Sequence, residues 1–361
     1  MNADNRSESP PSTASSSSAA SLPPAGSVLP LPPPKLSRRE LLLGTGGLAA
    51  AAATGALVWK NSGYFQRASV VIAKAHVYGP ELIDIIRHGL EELGIGAKTI
   101  RGKSVLLKPN LVEPSVVAPH VNTHPQFVRA VTEVFRRWDA REVFVAEGQG
   151  HCRDTFFVLE QSGLEQVLDD DKIGFVDLNY DDVFSKQNDL GCTKLAKLYL
   201  PESLRRADFI VSLPKMKTHH WAGVTLSMKN LFGVMPGVCY GWPKNVLHHA
   251  GINQSILDIN AAVRPSLAIV DGIVGMEGDG PIMGTPITAN LVVMGTNLPA
   301  VDATCARLMG FDPLRIEYLR NANGRLGPIA EGQIEQRGEP LSQQMKMFTM
   351  PDHPHFKQFR A

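Results

Sequence analysis

From Ser69 onward, hydrophobic positions switch repeatedly between a strand-like and a helix-like period. Residues 69–75 (SVVIAKA) form a short β-branched run, which predicts a strand. Residues 80–93 carry helical spacing behind a proline that a first turn tolerates. An apolar run at 104–107 ends in Lys108-Pro109-Asn110. Residues 124–138 place Phe127, Val128, Val131, Val134 and Phe135 on one helix face, with Thr123 as candidate cap. Strands follow over 142–146, 174–178, 208–213, 267–270 and 289–294. Helices are predicted over 155–162, 251–263, 298–309 and 313–321. Residues 198–200 are expected as an edge strand, 271–286 as a glycine-rich loop, and 326–361 as a loosely packed polar tail.

This alternation predicts an α/β fold, a largely parallel or mixed sheet with flanking helices, over residues 69–325. In such sheets ligands bind beyond the carboxyl ends of the strands. Four polar clusters follow predicted strands directly: Lys108 to Asn110, Glu147 to His151, Lys215 to His220 and Asp271 to Gly280. Their placement predicts one shared site.

The densest chemistry lies in residues 212–237, SLPKMKTHHWAGVTLSMKNLFGVMPG. Lysine is a point-charge binder of phosphate or carboxylate, and neutral imidazole serves as metal ligand or proton carrier. In an extended segment Lys215, Lys217 and His219 share one face. The expected catalytic set is Lys215, Lys217, His219 and Glu277, with the lysines orienting a small anionic substrate and Glu277 acting as base or ligand. Lys108, Asn110, Thr218, Lys229, Asn230 and Asp271 are the expected ligand contacts. His219 and His248 are candidate metal ligands. Glycines around Asp271, Glu277 and Asp279 let the backbone approach a ligand closely. Asp302 reads as a helix cap.

Charge and composition narrow the function classes. The chain has 361 residues, a net charge of +1 and 43% hydrophobic residues, so nothing favours nucleic acid as a main partner. Cys152, Cys192, Cys239 and Cys305 are scattered without a CxxC pair, which removes the zinc-ribbon and ferredoxin spacings. The cofactor stays open between none, a metal ion and an iron–sulfur cluster built from distant residues. No P-loop is present, and the glycine-rich stretch does not match the dinucleotide fingerprint.

The N-terminus reads as an address. Residues 1–36, rich in Ser, Pro and Ala, are expected to be disordered. Arg38-Arg39 ahead of the uncharged run 41–59 is the twin-arginine export pattern, giving a signal or anchor over 37–60. Cleavage at Thr54-Gly55-Ala56 or retention as an anchor both place the domain in the periplasm or cell envelope. The twin-arginine translocase is then a partner during export, and membrane contact runs through residues 41–59 if they are uncleaved.

The run 212–237 resembles the core of the DUF362 family. So do KPNLVEP with THP (108–114, 123–125), VFVAEGQG (143–150), IVDGIVGMEGDGPIMGTP (269–286) and PAVDATCARLMGFDP (299–313), in the expected order. The resemblance spans roughly residues 69–325. It implies an α/β fold remotely like nickel-pincer lactate racemase, with Lys215 or Lys217 and His219 or His248 facing a cofactor. Many family members also carry closely spaced cysteines in a ferredoxin-like insert or tail, and this chain lacks them. Two expectations result: an exported metal- or cofactor-dependent enzyme for proton transfer or redox chemistry, or a non-catalytic protein holding a metal, an iron–sulfur centre or a phosphorylated ligand.

Overall fold

The computed structural model describes residues 67–360 apart from 116, 151–153 and 352–353. The predicted segments 1–36 and 37–60 lie outside the described residues. Twelve described strands run in chain order as β1 (Ala68–Lys74), β2 (Ser104–Pro109), β3 (Glu142–Glu147), β4 (Gly174–Asp177), β5 (Val183–Gln187), β6 (Lys197–Pro201), β7 (Phe209–Leu213), β8 (Lys215–His219), β9 (Gly223–Thr225), β10 (Leu267–Glu277), β11 (Thr285–Gly295) and β12 (Ile334–Gly338). The main sheet has the order β12-β1-β11-β10-β7-β2-β3-β4, with β8 and β9 attached to β10 off this path.

The segment from β10 to β4 is parallel throughout. Strands β11 and β1 extend it in antiparallel fashion. The predicted mixed α/β sheet is therefore present. Alternate residues on each strand feed opposite layers, as the pleat requires. Val105 and Leu107 join one hydrophobic core and Leu106 the other. The first layer contains α1 (Glu81–Glu92), α2 (Pro125–Arg137) and α3 (Thr155–Ser162). The opposite layer contains α4 (Ser227–Asn230), α5 (Asn245–His249), α6 (Ile252–Val263) and α7 (Leu298–Leu308).

Several expectations need correction. Thr123 does not cap α2. The His124 side chain accepts from Gln126 N, while Thr123 Oγ1 accepts from Asn110 N at 2.8 Å and donates to Leu213 O at 2.6 Å, tying β2 to β7. The run at 198–200 is an edge strand as expected, β6, but it pairs with β5 in a separate two-stranded sheet and not with the main one. Residues 271–286 are mostly a β-hairpin: β10 continues to Glu277 and β11 begins at Thr285. The strand hides in the sequence because Gly272 and Gly275 interrupt its side-chain pattern. A Cβ on Gly275 would lie 2.7 Å from Met216 O, so glycine permits β8 to lie against β10.

The C-terminal stretch expected as a loose tail is packed. Strand β12 pairs in parallel with β1, and Leu341, Phe348 and Phe359 are buried. Thr349 N donates to Glu277 Oε2 at 2.7 Å, and Gly278 N donates to Thr349 O at 2.9 Å. A few apolar side chains, too sparse to form a periodic pattern, anchor this stretch. Phe348→Ala is expected to lower the unfolding free energy by about 3–5 kcal/mol, read from urea denaturation of the full chain. A loss under about 1 kcal/mol would mean that the segment is held only weakly.

Candidate functional site

A cavity of about 460 Å³ lies beyond the carboxyl ends of the parallel strands. Its walls come from the ends of β2, β3 and β8, from α4 and α5, and from the 278–284 turn of the β10–β11 hairpin. It falls where an open α/β sheet is expected to bind ligands.

The back of the cavity is set by one buried ion pair. Lys108 is the next-to-last residue of β2 and Glu147 closes the adjacent β3, and Lys108 Nζ lies 2.6 Å from Glu147 Oε2 with both side chains buried. The Lys108 ammonium also donates to Pro109 O at 2.8 Å. Glu147 additionally accepts from Leu111 N and Gly148 N. Burial pushes the Lys108 ammonium down and Glu147 opposes that shift. A buried pair of this kind holds only when its remaining donors and acceptors are satisfied, as here. Gly233 packs over it, and a Cβ there would stand 2.1 Å from Glu147 Oε1.

Strand β8 carries Lys215, Lys217 and His219 to different places. It continues the line of β7 past Pro214 and follows β10 beyond the main ladder. Lys215 lies outside the cavity, with its Nζ 2.6 Å from Asp271 Oδ2 and 3.1 Å from Tyr78 OH. Tyr78 OH donates to Asp271 Oδ1, and His124 N donates to Asp271 Oδ2. The tyrosine ring stacks on His124 with centroids 3.7 Å apart. This closed network holds the hairpin to β8. Asp271 and Lys215, expected at the ligand, instead satisfy each other, because adjacent strands place them opposite in register.

Lys217 and His219 do face the cavity. Lys217 Nζ donates to Val121 O at 2.9 Å and Pro281 O at 3.1 Å. Burial first, then the charges of Lys215 and Lys229, push its ammonium well below the usual lysine range. His219 Nδ1 accepts from Trp221 N and Ala222 N, which assigns the ring proton to Nε2. Burial and the nearby Lys229 hold this ring neutral. It meets the cavity as a donor. That protonation opposes the expected metal-ligand role, since a ligating nitrogen needs a free lone pair.

Lys229 and Asn230 arrive on α4, a single helical turn whose start is fixed by Asp302. Ser227 N and Met228 N donate to the two Asp302 oxygens at 2.8 and 3.0 Å, and Ser227 Oγ donates as well. Asp302 therefore caps a neighbouring helix, while Asn297 caps its own. Burial raises the Asp302 carboxyl to about 7. Lys229 Nζ sits 4.2 Å over the Phe232 ring, and burial lowers its pKa to about 8. Asn230 donates to Lys108 O and Ser212 Oγ.

Lys244 is a site residue that the sequence pattern missed. It adopts a left-handed conformation (φ 67°), and its buried Nζ donates to Asn179 Oδ1 at 3.0 Å and to Met235 O. Burial lowers its pKa to about 7. A single lysine after Trp242-Pro243 carries no periodic signal, and its cavity position depends on the loop path. Thr225 was visible as a polar residue near Ser227, but its burial in the cavity wall was not.

Charge balance and orphaned acceptors give the site its chemistry. Lys217, Lys229 and Lys244 contact carbonyls, an amide and a ring rather than carboxylates among the described residues. Asp279, an exposed acid at the rim, lies 3.6 Å from His220 Nδ1. Thr225 Oγ1 and Asn110 Oδ1 are buried in the cavity wall without a protein hydrogen-bond partner. Buried polar atoms left this way require a partner from solvent or ligand.

Of the expected residues, Lys108, Asn110, Lys217, His219, Lys229, Asn230 and His248 line the cavity. Thr218 instead donates to Gly278 O and supports the turn. Glu277 accepts from Thr349 N and does not line the cavity, so its expected base role is corrected. His248 Nδ1 lies 3.1 Å from Lys244 O, to which it can donate, leaving an Nε2 lone pair. His220, whose Nδ1 lies 2.8 Å from Gly280 O, shares this arrangement, in which Nε2 is left free as a metal ligand would need. Among the described residues no group of three His, Cys, Asp or Glu side chains is placed to share an ion.

Residues 105–307 match the family described as a domain of unknown function, DUF362. The chain is 28% identical over 268 residues to the thylakoid-associated protein sll1697 of Synechocystis sp. (strain ATCC 27184 / PCC 6803 / Kazusa), covering 72% of this chain and 79% of that protein. Among solved structures it is similar to the lactate racemase apoprotein from Thermoanaerobacterium thermosaccharolyticum, at 13% identity and TM-score 0.43, over 68% of this chain and 57% of that one. It is also similar to a protein from Thermotoga maritima, at 12% identity and TM-score 0.34, over 62% and 58%. The chain spans under two thirds of either structure, and neither likeness carries chemistry to it. The family match takes in more than half of the chain and every cavity residue discussed above: the chain belongs to the DUF362 family.

Proposed function

We propose that this protein binds a small anionic substrate in the lysine-lined cavity and moves a proton on it. The observation that carries this reading is the set of buried lysines, Lys217, Lys229 and Lys244, lining one cavity without carboxylate partners among the described residues. Buried lysines without a carboxylate in contact lose their protons easily, and an arriving anion would favour their charged forms. Asn110 Oδ1 and Thr225 Oγ1 supply acceptors for hydroxyl or amide groups on the same ligand.

Lys229 and Lys244, with pKa values of about 8 and 7, exchange protons near neutrality, as a general acid or base requires. His219 offers an Nε2–H to a developing negative charge. Export through the twin-arginine route belongs to the same proposal. It rests on Arg38-Arg39 and residues 41–59, and changing both arginines to lysine should retain the protein in the cytoplasm.

Lys217→Met preserves volume and removes one ammonium. It is expected to weaken binding of inorganic phosphate or malonate by about 10- to 100-fold, in line with loss of a charge-assisted hydrogen bond. Calorimetric titration checks this, and unchanged affinity in the folded variant would remove the anion-binding reading.

The lowered lysine values also fix a pH dependence. In the folded, empty protein Lys244 and Lys229 release protons near pH 7 and 8, whereas unfolded lysines keep theirs to about 10.4. In this window each of these lysines holds its proton longer in the unfolded chain, so their contribution raises the stability of the empty protein from about pH 7 to about pH 8.5, above which the thiols of Cys305, Cys192 and Cys239, held protonated by desolvation, work against it. Anion affinity moves the opposite way and falls over the same range. Parallel melting and titration series should show these opposed slopes, and an affinity that is flat from pH 6 to pH 9 would assign the site to some other ligand.

A further inference from the structure

The cavity is polar at its floor and aromatic along one wall, and this arrangement says more about the ligand than its charge. The floor is buried: Lys217 is 0% exposed, Lys244 2% and Thr225 4%. The mouth is open and apolar, with Trp221 60% and Met283 77% exposed. Floor and mouth are joined by a run of rings. Lys229 Nζ lies 4.2 Å over Phe232, whose ring centroid is 5.4 Å from that of His248. His248 in turn stands edge-on to Trp221 at 5.6 Å. Ile282 and Met283, in the turn of the β10–β11 hairpin, also line the cavity.

An inorganic anion would use the lysines and leave this wall bare. Large apolar side chains exposed at a cavity mouth are costly to leave in water and gain most from an apolar occupant. Ring faces and edges at these separations suit an offset or edge-on aromatic partner. A cavity of about 460 Å³ accommodates an organic molecule of one or two rings.

We infer that the ligand is an aryl anion, a planar aromatic or conjugated body carrying a carboxylate or phosphate, bound head-down on the lysines with its ring along the Phe232–His248–Trp221 wall. This deepens the anion-binding reading and rests on it. Trp221 then sets specificity by closing over the ring, while Lys217 and Lys229 hold the head.

The test uses the full chain and four probes: 1-naphthyl phosphate, inorganic phosphate, cyclohexyl phosphate and neutral 1-naphthol. Affinity is read by calorimetry, with the part of the protein fluorescence change that is lost in Trp221→Phe assigned to Trp221 among the chain's four tryptophans. Naphthyl phosphate is expected to bind at least ~10-fold more tightly than inorganic phosphate, and more tightly than cyclohexyl phosphate. Trp221→Ala should bring the ratio of naphthyl to inorganic phosphate affinity close to one, while Trp221→Phe should retain most of the ratio. Trp221 is exposed, so neither change threatens folding. Equal binding of naphthyl and inorganic phosphate, or a gain untouched by Trp221→Ala, overturns the aryl inference and leaves the anion reading standing. Equal binding of cyclohexyl and naphthyl phosphate overturns the aromatic requirement. Binding of naphthol as tight as that of naphthyl phosphate, or no binding of any phosphate to the folded protein, overturns both.

Discussion

The site depends on how many ammonium groups a dry interior can hold. Lys108 and Lys215 are neutralised across neighbouring strands by Glu147 and Asp271, each at 2.6 Å. Lys217, Lys229 and Lys244 have no such partner among the described residues and rest on carbonyls, an amide and an aromatic face. Burial pulls all three below the ordinary lysine range. The paired lysines thus brace the scaffold, and the unpaired ones line the cavity and are the groups proposed to meet an anion.

The scaffold places these groups economically. Parallel strands β2 and β3 end side by side, so one ion pair defines the back of the cavity. Strand β8 runs on from β7 beyond the main sheet, held by the Lys215–Asp271–Tyr78 network. That network keeps the hairpin against β8, and the hairpin turn carries Ile282 and Met283 to the cavity mouth. On the other side, Asp302 fixes the start of the turn that presents Lys229. Asp271 and Asp302 act on the cavity through the elements they anchor. This accounts for acidic residues that a reading of the linear chain assigns to the ligand itself or to a local cap.

Tautomers separate the three histidines that appear interchangeable in sequence. His219 accepts at Nδ1 from two backbone amides and is left as a donor. His220 has its Nδ1 2.8 Å from Gly280 O, and His248 has its Nδ1 3.1 Å from Lys244 O, so each can donate there and expose Nε2 as an acceptor. The ring nitrogen available to a ligand follows from which backbone atom the other nitrogen meets.

Hydrophobic periodicity alone determined strands β1, β2, β3, β4 and β7, parts of β10 and β11, and helices α1, α2, α3, α6 and α7, because strands and helices bury faces at different spacings; the short elements β5, β8, β9, α4 and α5 carry too few residues to show a period. It also determined that polar groups would collect at strand ends, since Lys108, Glu147 and Lys217 follow buried runs directly. It did not reveal the hairpin beneath Gly272 and Gly275, nor the packed C-terminal stretch, where isolated apolar residues such as Phe348 do the anchoring. Above all, sequence shows which residues are charged but not which charges meet. Lys215 and Lys217 are two residues apart on one strand, yet one is cancelled by Asp271 and the other faces the cavity. Lys244 joins that cavity through a loop path with no periodic trace. Pairing depends on strand register and loop closure between distant segments, and these are set only when the tertiary structure forms.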